Sequence, residues 1–505
     1  CDVGVAFTFE WSSDVPSMLR KTVSAPAASA VSNGASRSGV GACSVPAATA
    51  RVEEKNTFEE NWGEPLYAAL TGEEFVEALR EVMATISDGP CRTFSHNRLH
   101  VLESRFKLHE FLNNDLETAA QKAVPHRDFY NVRKIDNHVH HSACMNQKHL
   151  LRFIKSKLKA NSPDTVIIRD GKALSLHQVF ESLNLTPYDL NVDTLDMHAD
   201  KTFQRFDKFN LKYNPLGESR LREIFLKYTN HVKGPARPLD YAGKFLADIT
   251  RQVFDDLESN KYQFAEYRVS IYGRYLLQRN EWDLLADWVV DNKLFSANVR
   301  WMIQIPRLYA VYKKNKEIAS LQDMLNNIFV PLFEASVNPA SHPKLHLFLQ
   351  VDLIFIMPKA CVGFDSVDDE SVRESLHSTV IPAAEWTSEQ DPPYSMFAYY
   401  LYANLYTLNQ LRQAKRFSTF AYRPHSGEAG DIEHLAATFL LAKSINHGLQ
   451  LFHNTSLQYL YYLCQIGISL SPLSNNLLFL EYDKNPFPRF FNRGLNVSLS
   501  TDDPL

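Results

Sequence analysis

Lys134-Ile135-Asp136-Asn137-His138-Val139-His140-His141 covers most of a candidate β-strand, Arg133–His140, that ends in paired imidazoles. Side chains on a strand alternate faces with period two. His138 and His140 therefore point the same way and can grip one ion, imidazole nitrogen being a standard zinc ligand. Chance HxH pairs are common, so this pair decides little without partners elsewhere in the chain.

Downstream of Pro125, short β-rich runs alternate with amphipathic helical runs. The other candidate strands are Phe264–Tyr272, Val299–Ile305, Leu345–Gln350, Phe417–Arg423, Ile445–Leu451, Ile466–Ser471 and Leu495–Thr501. Helical runs at Lys148–Leu158, Leu239–Leu257, Glu281–Asn292, Leu321–Ala335 and Ile432–Lys443 lie between them. Alternation of this kind argues for a parallel sheet with covering helices. Eight such strands predict an α/β fold of the (β/α)8 barrel type. A doubly wound open sheet is the alternative, but no glycine-rich phosphate loop follows the first strand.

Two later motifs give the histidine pair its partners. His425-Ser426-Gly427-Glu428 follows the Phe417–Arg423 run and offers a third imidazole and a carboxylate. Ser500-Thr501-Asp502-Asp503-Pro504 follows the last run with two adjacent carboxylates, one able to bind metal while the other meets substrate. In a barrel of this type all strand C-termini converge on one mouth, where active sites lie. His138, His140, His425 and Asp502 then form a three-nitrogen, one-oxygen set with room for water, a catalytic rather than a closed structural zinc arrangement. Water on such a zinc ionises near pH 7, about nine units below bulk water. His447, in Asn446-His447-Gly448, is placed to act as base, and Glu428 is the candidate acid.

Upstream, Thr57–Ala123 repeats apolar residues at three and four, as in Glu73–Arg80 and Arg105–Leu112. Residues 11–50 are rich in Ser, Ala, Val and Gly without either period. The expected organisation is a disordered tail over 1–55, a helical extension over 56–125 and a metal-dependent barrel over 126–505. The 505-residue chain carries a formal net charge of −5, so no global basic field recruits nucleic acid. Its six cysteines form no CxxC pair, which makes a reducing cytoplasm the default location. The most apolar stretch, Leu345–Met357, contains Gln350 and Asp352 and is too short to span a bilayer.

The order HxH, HxGE, HG and TDDP resembles the adenosine and AMP deaminase branch of the amidohydrolase superfamily. The resemblance narrows to the AMP deaminase family in longer runs. These are His126–Lys134, His140–Leu150, Lys208–Pro215, Arg423–Asp431 and Ser471-Pro472-Leu473-Ser474-Asn475-Asn476. It covers about Asn56 to Leu505. It implies zinc-dependent hydrolysis of the 6-amino group of AMP, giving IMP and ammonia, with adenosine or a modified adenine nucleotide as the alternative substrate. It implies zinc on His138, His140, His425 and Asp502, one ion per subunit. Glu428 would meet purine N1, His447 would accept a proton and Asp503 would contact the purine ring. His140, Pro504 and Leu505 would also line the substrate. The segment Lys208-Phe209-Asn210-Leu211-Lys212-Tyr213 matches the family's nucleotide-binding segment. Lys201, Arg205, Lys208, Lys212, Arg220 and Arg222 crowd the same region of an otherwise acidic chain, as a 5′-phosphate dianion would need. A homo-oligomer, commonly a tetramer, and nucleotide effectors are further implications of the resemblance.

Two departures from the family pattern carry expectations. Family members continue past Asp502-Asp503-Pro504-Leu505 with further helices, so the eighth strand is expected to lack its cover. Asp502 is then expected near a fraying end, with weak zinc binding and slow turnover, or a role as a non-catalytic subunit. The run Val351–Cys361 reads as an added piece beside the Leu345–Gln350 candidate strand.

Overall fold

The computed structural model describes residues 69–126, 128–160, 165–169, 172–190, 220–228, 243–274, 280–350, 360–372, 374, 380–478 and 480–503. Residues 1–55, the Lys208–Tyr213 segment with Lys201 and Arg205, residues 351–359, Pro504 and Leu505 lie outside them.

The strands are β1 (Lys134–His140), β2 (Thr165–Arg169), β3 (Lys172–Ser175), β4 (Gln263–Ser270), β5 (Val299–Pro306), β6 (Cys361–Val367), β7 (Ala421–Tyr422), β8 (His425–Ser426), β9 (Ser444–His447), β10 (Gly467–Leu470) and β11 (Val497–Leu499). One sheet runs β1-β4-β5-β6-β7 and a second runs β11-β10-β9-β8, and every pair in both is parallel. β7 and β8 are two halves of one strand broken at Arg423-Pro424. Pro424 has no N–H to give, yet its carbonyl accepts from Asn446 N at 2.8 Å while Arg423 N donates to Phe364 O at 2.8 Å. The break therefore keeps its bonds to both neighbouring strands.

The ring closes at the other end. Asp502 N donates to His138 O at 2.8 Å, and His140 N donates to Asp502 O at 3.0 Å. These two bonds form a parallel bridge between Asp502 and Val139. Counting β7 and β8 together, the described residues thus build eight parallel strands joined into the predicted (β/α)8 barrel. β2 and β3 form a separate antiparallel hairpin that the sequence pattern does not announce.

Helices cover the strands. Those over Gln147–Lys159, Lys244–Asn260, Glu281–Asp291, Leu321–Val337 and Ile432–Leu441 fall on the helical runs read from the sequence. Their starts are locally encoded. Asn146, Asn280 and Ser320 each accept a backbone N–H of the first turn, and Ser320 forms a capping box with Asp323. Upstream, Asp88 caps the long helix Gly89–Ala123, with Pro90 in its first turn. That helix packs Phe94 against Tyr459 and Phe106 against Phe491.

One expected strand is wrong. Leu345–Gln350 is not a strand, because Pro343–Leu349 forms a helix with Pro343 in its first turn. Its buried residues, Leu345, Phe348 and Leu349, follow the three-and-four spacing of a helix. The fourth barrel strand is β6, whose residues are buried on both faces apart from half-buried Val362. Other candidate strands are shorter than expected, the Leu495–Thr501 run pairing only over Val497–Leu499. The end of the Ile445–Leu451 run falls in the 3-10 helix Leu449–His453, and pairing in the Phe417–Arg423 run begins only at Ala421.

Candidate active site

The motif residues meet at the C-terminal mouth of the barrel. His138 and His140 end β1, His425 opens β8, His447 ends β9 and Asp502 follows β11. All five are buried, with exposures between 0% and 2%. Asp502 does not sit at a frayed end, since the two backbone bonds that close the ring hold it. Its backbone, with that of His447, is left-handed, at φ 62° and 67° respectively. A non-glycine residue held there carries about 1–3 kcal/mol of strain, retained only where the surroundings over-determine it.

The donor atoms converge. His138 Nε2 lies 3.1 Å from His425 Nε2. Asp502 Oδ1 lies 3.0 Å from His140 Nε2 and 3.5 Å from His138 Nε2. Two ligands each about 2.1 Å from a tetrahedral zinc are about 3.4 Å apart. These three edges match those of a zinc shell. His138, His425, His447 and Asp502 form one group able to hold an ion, and His140, Asp502 and Asp503 form another. Asp502 belongs to both, so the third nitrogen must be assigned between His140 and His447 by their surroundings.

Those surroundings favour His140. Its Nδ1 is 2.7 Å from Gln304 Oε1, and Gln304 is fixed in turn by donating from Nε2 to Ser270 Oγ at 2.6 Å. An Nδ1–H given to Gln304 leaves Nε2 with a lone pair facing Asp502. His425 is held in the same way, with Nδ1 2.9 Å from Asp365 Oδ1. His447 instead turns Nδ1 toward Glu428 Oε1 at 3.4 Å. It thus pairs, at a longer distance than His425 with Asp365, with the other candidate proton carrier.

Electrostatics agree with a metal site. Burial, reinforced by the Arg268 charge, pushes the His138 imidazole well below its usual range, so it stays neutral and able to ligate. Burial alone would raise the Asp365 carboxyl, but His425 and Arg268 beside it hold it below the usual carboxylate range. Arg268 reaches Asp365 Oδ2 with Nε at 2.5 Å, Asn137 O at 3.0 Å and Asn446 Oδ1 at 3.0 Å. Asp502 Oδ2 accepts from Ser474 Oγ at 2.7 Å, which aims Oδ1 at the imidazoles.

A sequence model of the AMP deaminase family matches residues 47–505. The chain belongs to the AMP deaminase family. It is 59% identical over 444 residues to AMP deaminase of Arabidopsis thaliana, covering 88% of this chain and 50% of the relative. It is 58% identical over 429 residues to AMP deaminase of Saccharomyces cerevisiae, covering 85% of this chain and 50% of that protein. The chain spans about half the length of the curated relatives it matches. The solved structure of Arabidopsis ADAL with IMP aligns with a TM-score of 0.42 at 12% identity, covering 74% of this chain and 82% of that one.

Within this family site, several supporting residues escape motif reading. Asp365, Gln304, Arg268 and Asn446 lie inside apolar strand runs, and their only sequence signal is a polar residue where a core residue is expected. Ser474 lies in the Ser471–Asn476 run that carried the resemblance, yet nothing in that run announces contact with Asp502. Asp503 lies beside the site, half-buried. The expected phosphate segment Lys208–Tyr213 lies outside the described residues. Arg220 opens the helix Arg220–Phe225.

Proposed function

We propose that the chain deaminates AMP hydrolytically to IMP and ammonia at a zinc centre held by His138, His140, His425 and Asp502. One observation carries the reading. The buried imidazoles of His138, His140 and His425 and the Asp502 carboxylate, joined by edges of 3.1, 3.5 and 3.0 Å, lie beside the Glu428–His447 pair, in a member of the AMP deaminase family. Zinc, when bound, supplies a Lewis acid that makes water nucleophilic near neutral pH. His447 takes the proton of the attacking water, and Glu428 donates a proton to purine N1. The 3.4 Å between Glu428 Oε1 and His447 Nδ1 puts acid and base side by side, so a proton passes between them over a short path. Asp503 faces the purine ring, and Lys208–Tyr213 supplies the charge for the 5′-phosphate.

The four described cysteines, Cys91, Cys144, Cys361 and Cys464, are free thiols. Among the described residues no helix is long and apolar enough to cross a membrane.

The test couples metal analysis to ammonia release from AMP and from adenosine. The expected outcome is one zinc per chain and a preference for AMP. Glu428→Gln should abolish turnover and keep the ion, whereas Asp502→Ala should lose both. A preference for adenosine would overturn the phosphate assignment. Full activity in Glu428→Gln would remove the acid.

A further inference from the structure

We infer that Glu370 is a positioning residue whose carboxylate clamps the backbone of Gly427 and Glu428 and so aims the Glu428 carboxyl into the site. The inference rests on the role proposed for Glu428.

Glu370 lies in the turn that follows β6 and is 1% exposed. Its Oε2 accepts from Gly427 N at 2.8 Å and its Oε1 from Glu428 N at 3.3 Å. The two consecutive peptide planes that lead into Glu428 are therefore tied to one carboxylate. Hydrogen bonds to an ionised acceptor are roughly twice as strong as neutral ones. A third donor, His434 Nδ1, approaches Oε2 at 3.1 Å. With both oxygens engaged by groups of the chain itself, Glu370 is occupied as an anchor rather than available as an acid or base.

The anchor is itself held. His434 stacks on Tyr394 with ring centroids 4.1 Å apart, and Tyr394 donates its hydroxyl to His425 O at 2.5 Å. The backbone of the metal-site histidine and that of Glu428 thus hang on one packed unit. A second contact locks the loop. Gly430 is left-handed at φ 74°, and a Cβ placed there would lie 2.3 Å from Glu370 O. The loop 427–430 therefore lies against residue 370 through both its side chain and its backbone. At the far end, Glu428 meets His447 at 3.4 Å, a distance that a small rotation of either peptide plane would change.

Residues that hold catalytic groups typically cost activity on the order of 10–100-fold when changed. Glu370→Gln keeps the shape but places an NH2 where one N–H donor must be accepted. Its kcat for ammonia release from AMP is expected to fall on the order of 10–100-fold. KM and bound zinc should stay unchanged, since only an arrangement needed in the transition state is disturbed. His434→Gln should show the same split with a smaller fall. An unchanged kcat in folded Glu370→Gln overturns the inference. So does a fall in kcat that arrives with lost zinc and a raised KM, which would mark general collapse of the mouth. If Glu370→Gln does not fold, an unchanged kcat in His434→Gln overturns it. A wild-type chain that holds zinc but releases no ammonia from AMP sinks the deaminase reading and the clamp with it. A live wild type with an unaffected Glu370→Gln sinks the clamp alone.

Discussion

Replacing Asp365 by Asn tests two roles of one buried carboxylate. Asp365 is 0% exposed and accepts from His425 Nδ1 at 2.9 Å, His425 N at 3.0 Å, Arg268 Nε at 2.5 Å and Asn446 Nδ2 at 3.1 Å. The amide keeps the volume and removes the charge. Arg268, 1% exposed, then loses its carboxylate partner. Leaving one member of a buried pair uncompensated costs about 3–5 kcal/mol. For a chain of this size that lowers the melting temperature by roughly 3–5 °C. His425 also loses the acceptor that sets its tautomer, so zinc affinity should fall on the order of 10–100-fold. The two effects separate in the double variant Arg268→Met/Asp365→Asn. Removing both charges should recover part of the stability, because no uncompensated buried charge then remains. It should not recover zinc affinity. Thermal unfolding of the metal-free protein and titration against a competing chelator read the two quantities. An Asp365→Asn protein that melts within about 1 °C of wild type and binds zinc equally well would refute the reasoning at both points.

Three further outcomes follow from the same geometry. Ser474→Ala removes the donor to Asp502 Oδ2 and should weaken zinc about tenfold in a chelator titration. Its melting temperature should shift far less than that of Asp365→Asn. Gly430→Ala forces a Cβ to within 2.3 Å of Glu370 O at a left-handed φ, so it should lose at least about 1–3 kcal/mol in denaturant unfolding and most of the deaminase activity. Asp391 is pushed up to about 6 by burial, against the hydrogen bond it accepts from Ala310 N. A carboxyl raised on folding contributes stability below its unfolded value near 4, and that contribution is lost as pH rises through 6. Asp391→Asn, whose oxygen can still accept from Ala310 N, should therefore gain about 1–2 kcal/mol over wild type at pH 8 and almost nothing at pH 4. Paired thermal melts at the two pH values measure this, and an equal gain at both would reject the account.

Most of the barrel is legible because its strands and helices have different hydrophobic periods. β1, β4, β5 and β10 fall where β-rich runs predict them, and capped helices fall between them. The miss at Leu345–Gln350 has a physical cause. A short apolar run bounded by Pro343 fits a strand by composition and a helix by spacing, and only its neighbours arbitrate. β6 escapes for the opposite reason, since Gly363, Asp365 and Ser366 dilute its apolar character. The polar Asp365 in that strand is what the site uses to hold His425.

The seven side chains of the candidate centre, His138, His140, His425, Glu428, His447, Asp502 and Asp503, are all visible as motifs, because metal and proton chemistry restricts residue type. A strand with period two already places His138 and His140 on one side. Local patterns stop there. That Asp502 bridges to Val139 and closes the ring, that Gln304 rather than solvent receives His140, and that Glu370 holds the loop of Glu428 all depend on residues 57 to 363 positions apart in the chain meeting through barrel closure. Sequence by itself determines which groups are available. Tertiary structure decides which nitrogen of His140 and of His425 faces the centre, because that choice is made by a hydrogen bond at the opposite side of the ring.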